Sequence, residues 1–106
     1  MEGADGVGGH AYASGPSGAP HLTLTTLAAT SLVFAVGDDW DRAVARKLPV
    51  GWVMLDQWLN TGTGGTYWTQ YTNQATGKAG ARVSVRVTAP TNDNWNLAAV
   101  ELLSDD

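Results

Sequence analysis

A chain of 106 residues with a formal charge of −4 has room for one domain and a modest core. Six basic residues against ten acidic ones form no cationic track for phosphates, so nucleic acid is excluded as an expected partner. The absence of cysteine excludes disulfides, zinc-thiolate sites and thiol catalysis, and no apolar run approaches the roughly 20 residues of a membrane-crossing helix, so no membrane insertion is expected.

Low charge (15%) and abundant glycine (13 residues), with many threonines, suit an all-β domain with uncharged outward faces and frequent turns. Residues 1–20 are dominated by Gly, Ala, Ser and Pro and have little to bury. They are expected to form a flexible leader; the alternative is an edge strand through Gly9–Ser14, with His10, Tyr12 and Ser14 on one face. His21–Thr26 alternates cleanly and reads as a strand with Leu22 and Leu24 inward. Thr30–Val36 is apolar at both parities, Leu32, Phe34 and Val36 against Val33 and Ala35, which predicts a central strand covered on both sides. Asp38–Arg46 predicts a short helical turn, with Asp38 as its N-cap and acidic side chains at its positive end.

The stretch Gly51–Asn73 carries three of the five tryptophans and predicts a β-hairpin around a Gly-rich turn. A three-residue loop sets Trp58 opposite Trp68, whereas a two-residue loop sets it opposite Tyr67; each choice reverses which side chains share a face. After a turn over residues 73–80, Ala81–Ala89 predicts a strand with Val83, Val85 and Val87 inward. Trp95–Leu103 is apolar at both parities and reads as a buried strand rather than a short helix, and residues 104–106 form a solvated tail. The expectation is an antiparallel β-sandwich, jelly-roll-like, of about six or seven strands over residues 21–103.

Several linked blocks carry a resemblance: Val36-Gly37-Asp38-Asp39-Trp40-Asp41, Asp56-Gln57-Trp58, Thr66-Tyr67-Trp68-Thr69-Gln70, and Ala89 through Glu101. Together they resemble the C-terminal half of a β-sandwich module found in large secreted or surface proteins of bacteria. The resemblance implies an extracellular or cell-surface setting and a structural or adhesive role, and it carries no established catalytic or ligand residues over to this chain. The first residues lack a basic run followed by an apolar one, so an export signal is expected to have been removed or to lie in a longer parent. A half-module leaves open sheet edges or an exposed apolar face, and both favour a homo-oligomer.

Two sites are candidates. The hairpin aromatics Trp58, Trp68, Tyr67 and Tyr71, with Asp56 and Gln70, offer ring faces beside polar groups, which suits a polysaccharide; the competing role for them is core packing. Trp40 and Trp95 are expected to plug the ends of the sandwich. Asp38, Asp39 and Asp41, joined by Asn60 or Asp93, have the oxygen chemistry calcium takes, although helix-capping and pairing with Arg42 or Arg46 is the favoured reading of them. No other cofactor is implied. Hydrolytic chemistry has weak support: His10 and His21 lie in or beside the leader, no Gly-x-Ser-x-Gly elbow is present, and nothing brings Asp56 to Glu101.

Overall fold

Strict alternation at His21–Thr25 and Arg82–Arg86 makes two short strands, each with one apolar face, and they pair with each other antiparallel. The computed structural model describes residues 4–72 and 76–104, with side chains described over 6–72 and 76–103. Its strands are β1 (Ala4–Gly15), β2 (His21–Thr25), β3 (Leu32–Asp39), β4 (Trp52–Asn60), β5 (Gly65–Thr72), β6 (Arg82–Arg86) and β7 (Trp95–Ser104). A five-stranded sheet runs in the order β1-β7-β3-β5-β4, and the β2-β6 pair packs on one of its faces. This is an all-β sandwich of two antiparallel sheets.

The core lies between the sheets. Leu22, Leu24, Val85 and Val87 from the smaller sheet meet Val33, Ala35, Trp68, Trp95, Leu97 and Ala99 from the larger one. Period-2 alternation places these residues inward, because each strand sends successive side chains to opposite faces. Val83 packs against the core half-buried, in line with the inward valine pattern of that strand.

Three expectations need correction. Among the described residues there is no helix: β3 runs straight through Asp38 and Asp39, so Asp38 caps nothing and the Asp38–Arg46 turn does not form. Marginal length explains why, since one turn cannot outweigh continued pairing of β3 with β5 and β7. The leader expected over residues 1–20 is a strand from Ala4 to Gly15, paired along β7 and longer than the Gly9–Ser14 alternative. Trp40, expected to plug an end, is 50% exposed, whereas Trp95 is buried at 3%. Asn73 at the hairpin end and Asp105 and Asp106 of the expected tail lie outside the described residues.

Hairpin register follows the Tyr67 option. Asn60 pairs with Gly65, Trp58 with Tyr67 and Gln57 with Trp68 around the turn 61–64. The turn is closed by Gly64 N–H donating to Asn60 O at 2.9 Å, while Asn60 Oδ1 accepts from the Gly62 amide at 3.1 Å. A bulge at Leu55 shifts the register between Met54 and Asp56, leaving Trp52 and Met54 packed against the core and Trp58 on the opposite face.

Trp68 owes its position to Gly37, its direct partner across β3 and β5. The indole lies over the space where a Gly37 side chain would stand, and a Cβ there would collide with the ring. Gly37→Ala is expected to destabilise the fold by about 2–3 kcal/mol through overpacking, measurable as a lowered denaturant midpoint. An unchanged midpoint would show that the indole is free to move.

Candidate binding surface

The five-stranded sheet has a second face, turned away from the β2-β6 pair. Cross-strand registers order its side chains into rows. One row is Ser14, Asn96, Asp38, Tyr67 and Trp58; the next is Tyr12, Ala98, Val36, Thr69 and Asp56. A third is His10, Val100, Phe34, Tyr71 and Val53, and Leu32 pairs with Leu102 beyond it. Among the described residues no other strand covers this face. The two-sided apolar pattern of β3 thus marks a central strand, but among the described residues only one of its faces is covered by another sheet.

Exposure decides the character of this face. Tyr12 (69%), Trp58 (60%), Leu55 (58%), Val36 (55%) and Tyr67 (45%) are open to solvent. Trp58 and Tyr67 stack on each other with ring centroids 5.6 Å apart, and Phe34 and Tyr71 stack at 5.4 Å. Such pairs hold an aromatic surface flat and ordered before anything binds it. Charge on the face is purely acidic: none of the five strands contains Lys or Arg, while Asp38 and Asp56 both project from it. Burial raises the Asp38 carboxyl above its ordinary value, and the neighbouring Asp39 charge raises it further.

The six residues proposed for ligand contact are therefore divided between faces. Trp58, Tyr67 and Asp56 are exposed on the outer face, and Tyr71 is half-buried there beside Phe34. Trp68 and Gln70 belong to the interior. Trp68 Nε1 donates to Gln70 Oε1 at 2.9 Å, and Gln70 Nε2 donates to Arg86 O at 3.2 Å, tying β5 to β6. They are unavailable to a surface ligand.

The three aspartates do not converge. Asp38 faces outward, Asp39 points inward to Arg46, and Asp41 Oδ2 accepts from the Asn94 amide at 2.6 Å and from Asn94 Nδ2 at 2.8 Å. Asn60 is committed to its own turn, and Asp93 accepts from Arg42 Nε at 2.9 Å. Among the described residues no group of three acidic or histidine side chains is arranged to hold a metal ion. Pairing with arginine, one of the two roles considered, is what Asp39 does.

Around Asp39 the side chains form a buried polar knot. Its Oδ1 accepts the Asp41 and Arg42 amides at 2.8 and 3.2 Å, and its Oδ2 lies 2.7 Å from Arg46 Nη1. Burial alone would raise this carboxyl; hydrogen bonds from Asp93, the two amides and Arg46 outweigh it and hold it below the ordinary range. Asp93 moves upward, through burial and through its contact with Asp39. Glu101 is a third buried acid, fully enclosed on the inner face, and Asp56 stands on the outer face, so they form no acid–base pair. Neither the Glu101 cluster nor the open β3 face was identified from the sequence as a feature, although apolar residues at both parities of β3 carried the signal for the latter.

Comparison with protein-family models, with curated proteins and with solved structures gives no match to this chain.

Proposed function

We propose that the chain is a non-enzymatic structural or adhesive β-sandwich module of a bacterial extracellular protein, acting by self-association through its outer sheet face. The observation that carries this reading is the aromatic, apolar and uncovered face around Trp58, Tyr67 and Val36. Contiguous exposed apolar surface of this kind marks an interaction site in a folded domain. The bacterial and extracellular setting rests on the resemblance of the linked sequence blocks.

Face association is favoured over edge pairing by the edges themselves. Edge strand β4 is broken by the bulge at Leu55, and edge strand β1 shifts register between Ala4 and His10. Both irregularities blunt the edge as a template for another strand. Sedimentation velocity across a concentration series tests the reading. Association is expected in the wild type and is expected to be lost in Trp58→Ala, with thermal stability changed by no more than about 1 kcal/mol, the scale of one aromatic pair. A wild type that stays monomeric throughout would overturn the proposal.

A second reading has its own observation. The exposed Trp58–Tyr67 stack with Asp56 in the adjoining row suits stacking of a sugar ring beside a hydrogen-bonding carboxylate, as in a carbohydrate-binding module. Intrinsic tryptophan fluorescence titrated with polysaccharides would register it, and Trp58→Ala would abolish the response.

A further inference from the structure

We infer that copies of this chain associate head to tail, the outer face of the β2-β6 pair of one copy docking on the aromatic outer face of the five-stranded sheet of the next. The inference rests on the proposed self-association and specifies its geometry. It starts from the separation of charge across the sandwich. Asp38 and Asp56 lie on the outer face of the large sheet, which has no cationic residue in any of its strands. Arg82 and Arg86 lie exposed on the outer face of the small sheet, whose strands contain no acidic residue. The two outward faces of one domain thus carry opposite charge.

None of these four side chains is paired with an opposite charge among the described residues. Among the described residues the ion pairs are Arg42–Asp93 and Arg46–Asp39, which leave Asp38, Asp56, Arg82 and Arg86 free for a partner. Their spacing also matches. Arg82 and Arg86 are four residues apart on one strand, about 13 Å. Asp38 and Asp56 sit two strands and one row apart, about 12 Å by the same spacings. One arginine pair therefore spans one aspartate pair, and the guanidinium planes arrive beside Trp58 and Tyr67, where stacking on an aromatic face adds to the charge attraction.

A symmetric face-to-face dimer would instead bring the aspartates of two copies together. The head-to-tail contact uses two different patches, so it does not close on itself and generates chains of copies. Its footprint is limited by two strands of five residues. That lies below the roughly 800 Å² per partner of a stable interface, so the contact is weak and grows with concentration.

Sedimentation velocity and light scattering on the full chain, read against concentration and salt, test this with two charge variants, Arg82→Glu/Arg86→Glu and Asp38→Lys/Asp56→Lys. Circular dichroism first establishes that each variant keeps the wild-type β spectrum. The wild type is expected to form species beyond a dimer that weaken about tenfold between low and high salt. Each variant alone is expected to be monomeric, and an equimolar mixture is expected to associate again, because each then presents the charge the other lacks. Dimers that persist in Arg82→Glu/Arg86→Glu alone would overturn the head-to-tail geometry while leaving self-association through the aromatic face intact. A wild type that is monomeric at every concentration and salt would overturn both. Should either variant lose its β spectrum, Arg82→Gln/Arg86→Gln serves in its place, with at least a fivefold loss of association expected and unchanged association overturning the inference.

Discussion

Replacement of Glu101 by glutamine is expected to cost about 3 kcal/mol of stability, a large share of the roughly 5–15 kcal/mol that holds a domain of this size together. Glu101 is fully buried on β7, and among the described residues no cation pairs with it. Its charge is held by four donors: the Gly9 amide at 2.9 Å, the Leu27 amide at 2.7 Å, the Ala28 amide at 3.2 Å and the Ser31 hydroxyl at 2.5 Å. The donors come from β1 and from the connection between β2 and β3, so one carboxylate pins three parts of the chain. Hydrogen bonds to an ionised group are about twice as strong as neutral ones, and glutamine turns one acceptor into a donor facing donors. Gly8 is part of the same arrangement, since a Cβ there would collide with the Glu101 carboxylate.

The same site sets a pH dependence. Burial by itself would raise the Glu101 carboxyl, but the Ser31 hydroxyl and the three amides overcome that effect and hold it below its ordinary value. The folded state therefore binds this proton less readily than the unfolded state. Its contribution is fully present above the ordinary carboxylate range and disappears as the pH falls through the folded-state value. The stability difference between wild type and Glu101→Gln is accordingly expected to be constant near neutrality and to shrink on acidification. Chemical denaturation at a series of pH values measures it. Parallel curves down to the acid limit would show that the carboxylate charge is not what the four donors require.

The legible part of this fold was the alternation. At β2 and β6 one face is apolar and the other polar, so period 2 reads directly as inside and outside. At β3 and β7 both parities are apolar, which identifies central strands but does not say which face has a cover, because covering depends on strands distant in sequence. The hairpin shows the limit most sharply. Its two strands were evident, but whether Trp58 faced Trp68 or Tyr67 depended on a one-residue difference in the turn, and the bulge at Leu55 then redirected the first half of β4. The candidate ligand residues split between faces for that reason. Glu101 was illegible for another reason: a single acid in an apolar run gives no sign of amide donors some 70 to 90 residues away.

Arg46→Met is expected to destabilise the protein by about 3–5 kcal/mol, more than Asp39→Asn/Arg46→Met, in which both charges are gone. Arg46 and Asp39 are both buried, with side chains 1% and 0% exposed. Besides its 2.7 Å contact with Asp39, the guanidinium donates to Val44 O at 2.9 and 3.1 Å and to Thr66 Oγ1 at 3.2 Å, and its carbon lies 5.2 Å from the Trp68 ring centroid. It thus fixes the 40–46 segment onto β5 and against the indole that Gly37 admits. Methionine keeps much of the apolar stem but leaves the Asp39 carboxylate enclosed without its cation, close to the second carboxylate of Asp93. Two buried acids with one remaining arginine, Arg42, would favour protonation, so the single variant is expected to gain more stability on mild acidification than the wild type does. The double variant removes the stranded charge and is expected to recover about 1–3 kcal/mol of the single-variant loss. A denaturation cycle over the four proteins measures the coupling. Strict additivity of the two substitutions would mean that the pair contributes through packing alone, and the buried ion pair would then have no role in fixing the segment that leads into β4.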